Sequence, residues 1–141
     1  MANSSRAKEI ISKIIYITIA TVSKDGDPWN SPVYSAYDEQ YNFYWASWKD
    51  NVHSKNIHAT GKAFLVIYDS TVPEGTGEGV YVQAKALKLL YERKNKSPRN
   101  VEEFLGDYPR RVYRAIPIKV WINDMDDLRG NNVDVRKEIK L

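Results

Sequence analysis

The sequence predicts a mainly β fold, an antiparallel barrel of six or seven strands with short helices. Its apolar residues fall in short runs rich in β-branched and aromatic side chains. Turn-forming glycine, proline, aspartate and asparagine residues separate these runs at close spacing. With 141 residues, 43% of them hydrophobic, the chain is long enough to bury a core. We therefore expect residues 1–141 to form a single domain.

The first half of the chain predicts a short helix and three strands. A polar lead-in at residues 1–8 precedes an amphipathic helix over residues 7–13, and a strand rich in β-branched residues follows. Asp25-Gly26 supplies the positive φ of a tight hairpin turn. Pro32 cannot donate to a sheet, so its strand should lie at an edge. The three predicted strands are residues 14–22, 29–37 and 41–47.

The second half alternates helical and extended signals. A helix should begin near residue 52 and end at Gly61, because glycine is favoured just past a helix end. Ser97-Pro98 is typical of a second helix start. The prediction for the second half is completed by a strand at 63–68, a glycine-rich loop at 73–79, a strand at 80–90, the helix at 97–106, a helical turn at 108–114, a strand at 115–122, a turn at 130–132 and a weak strand at 133–139.

Composition excludes several kinds of site. The chain has no cysteine, so disulfides, zinc thiolates and a cysteine nucleophile are ruled out. The only two histidines, His53 and His58, miss the spacing that places two ligands on one helical face, so no metal site is expected. A net charge of +3 favours nucleic acid only weakly. Without a signal-peptide pattern or a membrane-length apolar run, we expect a cytoplasmic protein with no membrane partner.

An aromatic strand followed by a helix start, at residues 41–54, is the most informative segment. A helix N-terminus has unpaired N–H groups and a partial positive charge. Asn51, His53, Ser54 and Lys49 would add donors there, and only Asp50 opposes them. Such an end suits a phosphate, and the neighbouring aromatic strand suits a flat ring. The same asparagine and serine could simply cap the helix, and the histidine could be a surface residue.

The order of the segments resembles the pyridoxamine 5′-phosphate oxidase-like, FMN-binding split-barrel superfamily. The matching segments are Ile17-Thr18-Ile19-Ala20-Thr21-Val22, Asp25-Gly26-Asp27-Pro28, Asn30-Ser31-Pro32-Val33, Phe43-Tyr44-Trp45-Ala46-Ser47, His53-Ser54-Lys55-Asn56-Ile57, Phe64-Leu65-Val66-Ile67-Tyr68-Asp69 and Gly77-Glu78-Gly79-Val80-Tyr81-Val82. The likeness covers about residues 10–123. It implies an antiparallel Greek-key split barrel that forms a homodimer, with FMN in a groove at the interface.

The resemblance also implies which residues meet the cofactor. The flavin would be lined by Asn30, Ser31, Pro32 and Val33, the ribityl chain by Trp45, Ala46 and Ser47, and the phosphate by Asn51, His53 and Ser54. A phosphate beside the imidazole would raise the pKa of His53. Trp121 stands where some relatives direct an aromatic side chain toward the partner's flavin.

Departures from the oxidases proper shape the expected function. Those enzymes have an arginine where this chain has Asn30, a lysine where it has Ser35, and Ser-Arg-Lys in place of Asn51-Val52-His53. The expected function is therefore an FMN-dependent oxidoreductase with a small-molecule redox substrate, and not a true pyridoxamine 5′-phosphate oxidase. No catalytic residue is identified. The alternatives are a flavin carrier without turnover, F420 in place of FMN, haem as the least favoured cofactor, and a barrel that binds single-stranded nucleic acid.

Overall fold

The computed structural model describes residues 2–89, 110–126 and 135–141. Two helices and eight strands lie within them. They are α1 (Ala2–Lys13), β1 (Tyr16–Val22), β2 (Pro28–Tyr34), β3 (Ala36–Tyr37), β4 (Phe43–Trp48), α2 (Val52–Thr60), β5 (Lys62–Tyr68), β6 (Gly79–Lys88), β7 (Arg110–Asn123) and β8 (Arg136–Ile139). The fold is thus mainly β, as predicted.

The strands form one curled antiparallel sheet in the order β2-β1-β5-β6-β7-β4-β3, with β8 paired to β7. β2 and β3 stand at opposite ends of that order although only Ser35 separates them in the chain. The Ser35 backbone N–H still donates to the Ile15 carbonyl, and Ala36 then pairs with Tyr44 of β4. The segment therefore passes from one edge of the sheet to the other and closes the curl into a half-barrel.

Alternating side chains of β1, β5 and β6 fill the interior of the curl. Ile19, Leu65 and Val82 are fully buried there, and α1 covers one side with Ile10 and Ile11. The period of two is the pattern of a sheet with one face on the core. α1 is also held by its charges: the Arg6 guanidinium donates from Nε to the Glu78 carboxylate, 2.6 Å away, ahead of β6.

The predicted turns are confirmed where glycine needs a positive φ. Gly26 has φ 89° in the β1–β2 hairpin, and Gly61 ends α2 with φ 66°. Pro32 lies in β2, an edge strand, as its missing N–H required. None of the helices within the described ranges is long and apolar enough to cross a membrane.

Two predictions were wrong. Residues 2–6 belong to α1 and are not a frayed lead-in, because Arg6 bonds to both Glu9 and Glu78. Residues 110–114 are extended in β7 and not a helical turn, because they pair with β4 and bury Tyr113 opposite Trp45. The predicted helix at 97–106 and the turn at 130–132 lie outside the described residues.

Candidate functional site

Four of the predicted cofactor residues form one hydrogen-bonded cluster. The Ser47 hydroxyl oxygen lies 2.7 Å from His53 Nε2, and the Asn51 side-chain amide donates to that same oxygen over 2.9 Å. The other ring nitrogen, His53 Nδ1, lies 3.2 Å from the Ser31 hydroxyl oxygen. The imidazole therefore bridges β2 and β4, two strands that are not paired with each other.

The position of α2 depends on its contact with β1. The Asn56 side-chain amide donates to the Thr21 hydroxyl over 3.1 Å, and both residues are buried. Ile57 joins the hydrophobic core on the same side of the helix. These contacts hold α2 against β1, so that His53 in its first turn reaches both serines.

The start of α2 leaves donors without acceptors. Asn51 is the N-cap residue but makes no side-chain capping bond, and its Nδ2 donates to the Ser47 hydroxyl oxygen. The first N–H groups of a helix have no partner within the helix. The Ser54 hydroxyl, 1% exposed, also has no hydrogen-bond partner in the described part of the chain. A buried donor of this kind costs free energy until an acceptor pairs with it.

One tautomer of His53 pairs every buried hydrogen in the cluster. Ser47 accepts a hydrogen from Asn51, so its own hydroxyl hydrogen needs an acceptor, and His53 Nε2 is 2.7 Å away. Nδ1 then holds the proton and donates to the Ser31 hydroxyl oxygen. The hydroxyl hydrogen of Ser31, a half-buried residue, is not used in this arrangement.

The pKa of His53 shifts in the direction opposite to the one predicted. The imidazole is 6% exposed, and its burial lowers the pKa below the ordinary value of 6.5. The prediction of a raised pKa assumed a phosphate beside the ring. The surrounding protein groups are neutral serine and asparagine side chains, which do not offset the loss of hydration.

We expect the stability of the protein to fall as the pH drops below about 6.5, the pKa of histidine in an unfolded chain. Below that pH, the histidine of the unfolded chain binds a proton that folded His53 does not bind until the pH is lower. This protonation lowers the free energy of the unfolded state relative to the folded state. The free energy of unfolding in urea, measured between neutral and mildly acidic pH, should show this slope.

The two histidines of the chain make a matched pair for this test. His53→Gln should flatten the slope, while His58→Gln, on the exposed side of α2, should keep it. An unchanged slope in the His53 variant would contradict the assignment.

The remaining predicted residues divide between the two faces of the sheet. Asn30 and Pro32 are exposed on the outer face of β2, whereas Val33 is buried in the core. Ala46 is half-buried on the outer face of β4, opposite in direction to Ser47. Trp45 is fully buried and stacks on Tyr113 with ring centroids 6.0 Å apart, so its side chain belongs to the core.

β2 offers backbone groups as well as side chains. It has one partner strand, β1, and its other edge has none among the described strands. An edge strand directs the N–H and C=O groups of alternate residues away from the sheet. The stretch from Asn30 to Val33 can therefore bind a flat polar molecule through its main chain, beside the Ser31–His53 contact.

Three tyrosines, Tyr34, Tyr44 and Tyr81, have hydroxyl groups that could act as an acid or a base, and their surroundings differ. The buried Tyr44 hydroxyl donates to the Asp38 carboxylate over 2.8 Å, and Tyr81 lies beneath the Arg136 guanidinium. Tyr34 is exposed at the end of β2. Both Thr21 and Asn56 lie in segments that match the family, but no sequence signal paired them, because they are 35 positions apart.

Comparison with known families gives one match over most of the chain. The family model described as pyridoxamine 5′-phosphate oxidase matches residues 4–122. No curated protein matches the sequence.

Solved structures with this fold bind different cofactors. An FAD-binding protein from Mesorhizobium loti is similar with a TM-score of 0.67 and 16% identity, over 84% of this chain and 90% of that one. HutZ, the heme storage protein from Vibrio cholerae, has a TM-score of 0.67 and 12% identity, over 83% and 91%. A heme binding protein from Mycobacterium smegmatis has a TM-score of 0.71 and 15% identity, over 95% and 56%. At these identities the likeness is one of fold.

Proposed function

The chain belongs to the pyridoxamine 5′-phosphate oxidase family, and on that premise we propose that it is an FMN-binding flavoprotein, a homodimeric oxidoreductase that acts on a small redox substrate. The observation that supports this most directly is the set of hydrogen-bonding groups at the start of α2. It combines uncapped helix N–H groups, the buried and unpartnered Ser54 hydroxyl, and an imidazole bound to two serines.

The start of α2 is the place for the phosphate. Helix N–H groups and the positive end of the helix dipole favour an anion, and no acidic residue lies in the first turn of α2. A phosphate oxygen could accept the Ser54 hydroxyl hydrogen that lacks an acceptor. The anion would also favour the charged form of His53 and so oppose the effect of its burial.

The free edge of β2 is the place for the ring system. Main-chain groups of residues 30–33 and the hydroxyl hydrogen of Ser31 would bind the polar edge of the ring system. Bound FMN supplies the electron transfer, while the protein orients it and tunes its electronics. Tyr34, exposed at the end of the same strand, is the nearest tyrosine in sequence to that edge.

A second subunit would complete the groove. The outer face of the sheet exposes three tyrosines at one end, Tyr16, Tyr34 and Tyr68, which we call the tyrosine patch. Tyr16 pairs with Tyr34 across β1 and β2, and their rings meet edge to face at 5.5 Å. Exposed aromatic residues grouped in this way are typical of protein interfaces. We propose that a second copy covers this patch beside the edge of β2.

Haem is less well supported than flavin in this chain. Haem iron needs an axial ligand, and both ring nitrogens of His53 are already hydrogen-bonded to serines. His58 is exposed on the other side of α2. F420 remains the alternative within the same proposal, because it too has a flat ring and a phosphate.

Titration of the purified protein with FMN and with riboflavin tests the proposal. The two ligands differ only in the phosphate, so we expect FMN to bind about tenfold or more tightly, by charge-assisted hydrogen bonds at α2. The complex should absorb near about 370 and 450 nm, as oxidised flavin does. Sedimentation should give a dimer. A protein that binds neither flavin, or binds both equally, would contradict the phosphate site.

Parallel titrations separate the remaining alternatives. Tighter binding of F420 than of FMN would indicate that F420 is the cofactor, and a Soret band after haem addition would favour haem. Reduction of the bound flavin by NAD(P)H with transfer to an acceptor would support an oxidoreductase. Flavin that binds but is never reduced would favour a carrier.

A further inference from the structure

A groove lies on the outer face of the sheet, beside the C-terminal end of α2 and apart from the residues Ser31, Ser47 and His53. It has a volume of about 750 Å³ and runs across β1, β5 and β6. Its lining is largely apolar, with Ala20, Val22, Phe64 and Ile118 at its surface. A cavity of this size is comparable to those that bind small organic molecules.

A bulge in the sheet forms one wall of this groove. The β6–β7 register shifts between Gln83 and Ala84, so that Gln83 pairs with Lys119 and Ala84 with Pro117. Ile118 is the extra residue between them, and its side chain is 62% exposed. A bulge redirects the side chain that it contains. Here it leaves a large apolar side chain at the edge of the groove and open to solvent.

The charged residues of the described ranges that line the groove all have the same sign. Lys62 and Lys85 both line it, and no acidic residue of those ranges does. Neither lysine forms an ion pair with another residue in the described ranges. Lys119, the strand partner of the lining residue Gln83, adds a third positive charge on the same face.

The two lining lysines stand directly opposite each other on neighbouring strands. Lys62 of β5 pairs with Lys85 of β6 in the antiparallel register. Like charges in such a pair destabilise a sheet. An anion held between the two ammonium groups would remove that repulsion. Without an anion, the pairing of the two lysines does not stabilise the folded chain.

We propose that this groove binds an anionic small molecule with a flat apolar body, such as an aromatic carboxylate, sulfonate or phosphate. The apolar body lies against Phe64 and Ile118, and the anionic group lies between Lys62 and Lys85. The groove is formed by different residues from the cluster at Ser31, Ser47 and His53, and the inference does not depend on the proposed flavin site.

The groove is also separate from the tyrosine patch. Tyr16 and Tyr68 lie at the opposite ends of β1 and β5 from Val22 and Lys62. The proposed subunit contact and the proposed ligand therefore lie toward opposite ends of these two strands.

Two fluorescent probes test the proposal on the intact protein. 8-Anilinonaphthalene-1-sulfonate has a sulfonate, and N-phenyl-1-naphthylamine is its neutral analogue. We expect the sulfonate to bind more tightly than the neutral probe. Lys62→Gln with Lys85→Gln should weaken sulfonate binding about tenfold, as expected for loss of a charge-assisted bond, and leave the neutral probe unaffected.

The stability of the same variants distinguishes a binding role from a structural one. Because the substitutions remove a like-charge pair, the thermal midpoint should not fall. Lys24→Gln, an exposed lysine of the β1–β2 hairpin, is the control and should change neither measurement. Equal affinity for both probes, or sulfonate binding that survives the double substitution, would overturn the proposal. Sulfonate binding displaced by FMN would overturn it too, by placing the probe at the α2 cluster.

Discussion

Replacing Trp45 with alanine should lower the free energy of unfolding by about 3–5 kcal/mol, the range measured for large aromatic residues in cores. The indole is fully buried among the core residues and stacks on Tyr113 of β7, its partner in the register. Removing it leaves a cavity at the junction of β4 and β7. Urea denaturation followed by circular dichroism measures the loss.

Trp48 is the matched control for this experiment. It lies at the end of the same strand but is 54% exposed, so Trp48→Ala should cost less than about 1 kcal/mol. The loss for Trp45→Phe should fall between the two, since it keeps an aromatic ring and removes a buried indole N–H that has no acceptor within the described residues. Similar losses for the two alanine variants would show that Trp45 is not a core residue.

Replacing His53 with alanine should reduce FMN affinity by about tenfold and the free energy of unfolding by about 2–3 kcal/mol. The ring is the only link that the described structure shows between the Ser31 and Ser47 hydroxyl groups. Its loss leaves a small cavity and a buried Ser47 hydroxyl hydrogen without its acceptor, although the Ser47 oxygen still accepts from Asn51. The binding effect rests on the proposed flavin site, whereas the stability effect rests on the cluster alone.

Riboflavin makes the binding result specific. If His53 acts on the phosphate, His53→Ala should weaken FMN binding much more than riboflavin binding. His58→Ala should change neither affinity nor stability, because that side chain is exposed. A folded His53→Ala protein with the affinity of the original chain would remove His53 from the phosphate site. Equal losses of affinity for FMN and riboflavin would show that His53 acts only by positioning β2.

The pattern of residues was enough to predict most of the fold. The β-branched residues of 14–22 predicted β1, alternation within 80–90 predicted β6, and the turn glycines Gly26 and Gly61 marked where strands and α2 end. These features are local, because the period of a strand and the φ of a turn depend on neighbouring residues. Residues 110–114 were misassigned because their extended form depends on β4, which lies more than sixty positions earlier in the chain.

Part of the candidate site could also be predicted from the sequence. Asn51, His53 and Ser54 fall at the start of α2, as the helix signal implied, and the family match covers them. Their use for a cofactor remains a prediction. The sequence could not place Ser31 against His53, since that contact depends on how α2 docks against β1 through Asn56 and Thr21.

The sequence by itself determined most of the extended segments, the turns at Gly26 and Gly61, and the polar groups around the first turn of α2. The tertiary structure alone decided which face of each strand meets the core, so that Trp45 is buried while Asn30 and Pro32 are exposed. It also set the direction of the His53 pKa and brought Lys62 opposite Lys85. The physical reason is that burial and register are properties of pairs of segments, which have no local signature until the strands meet.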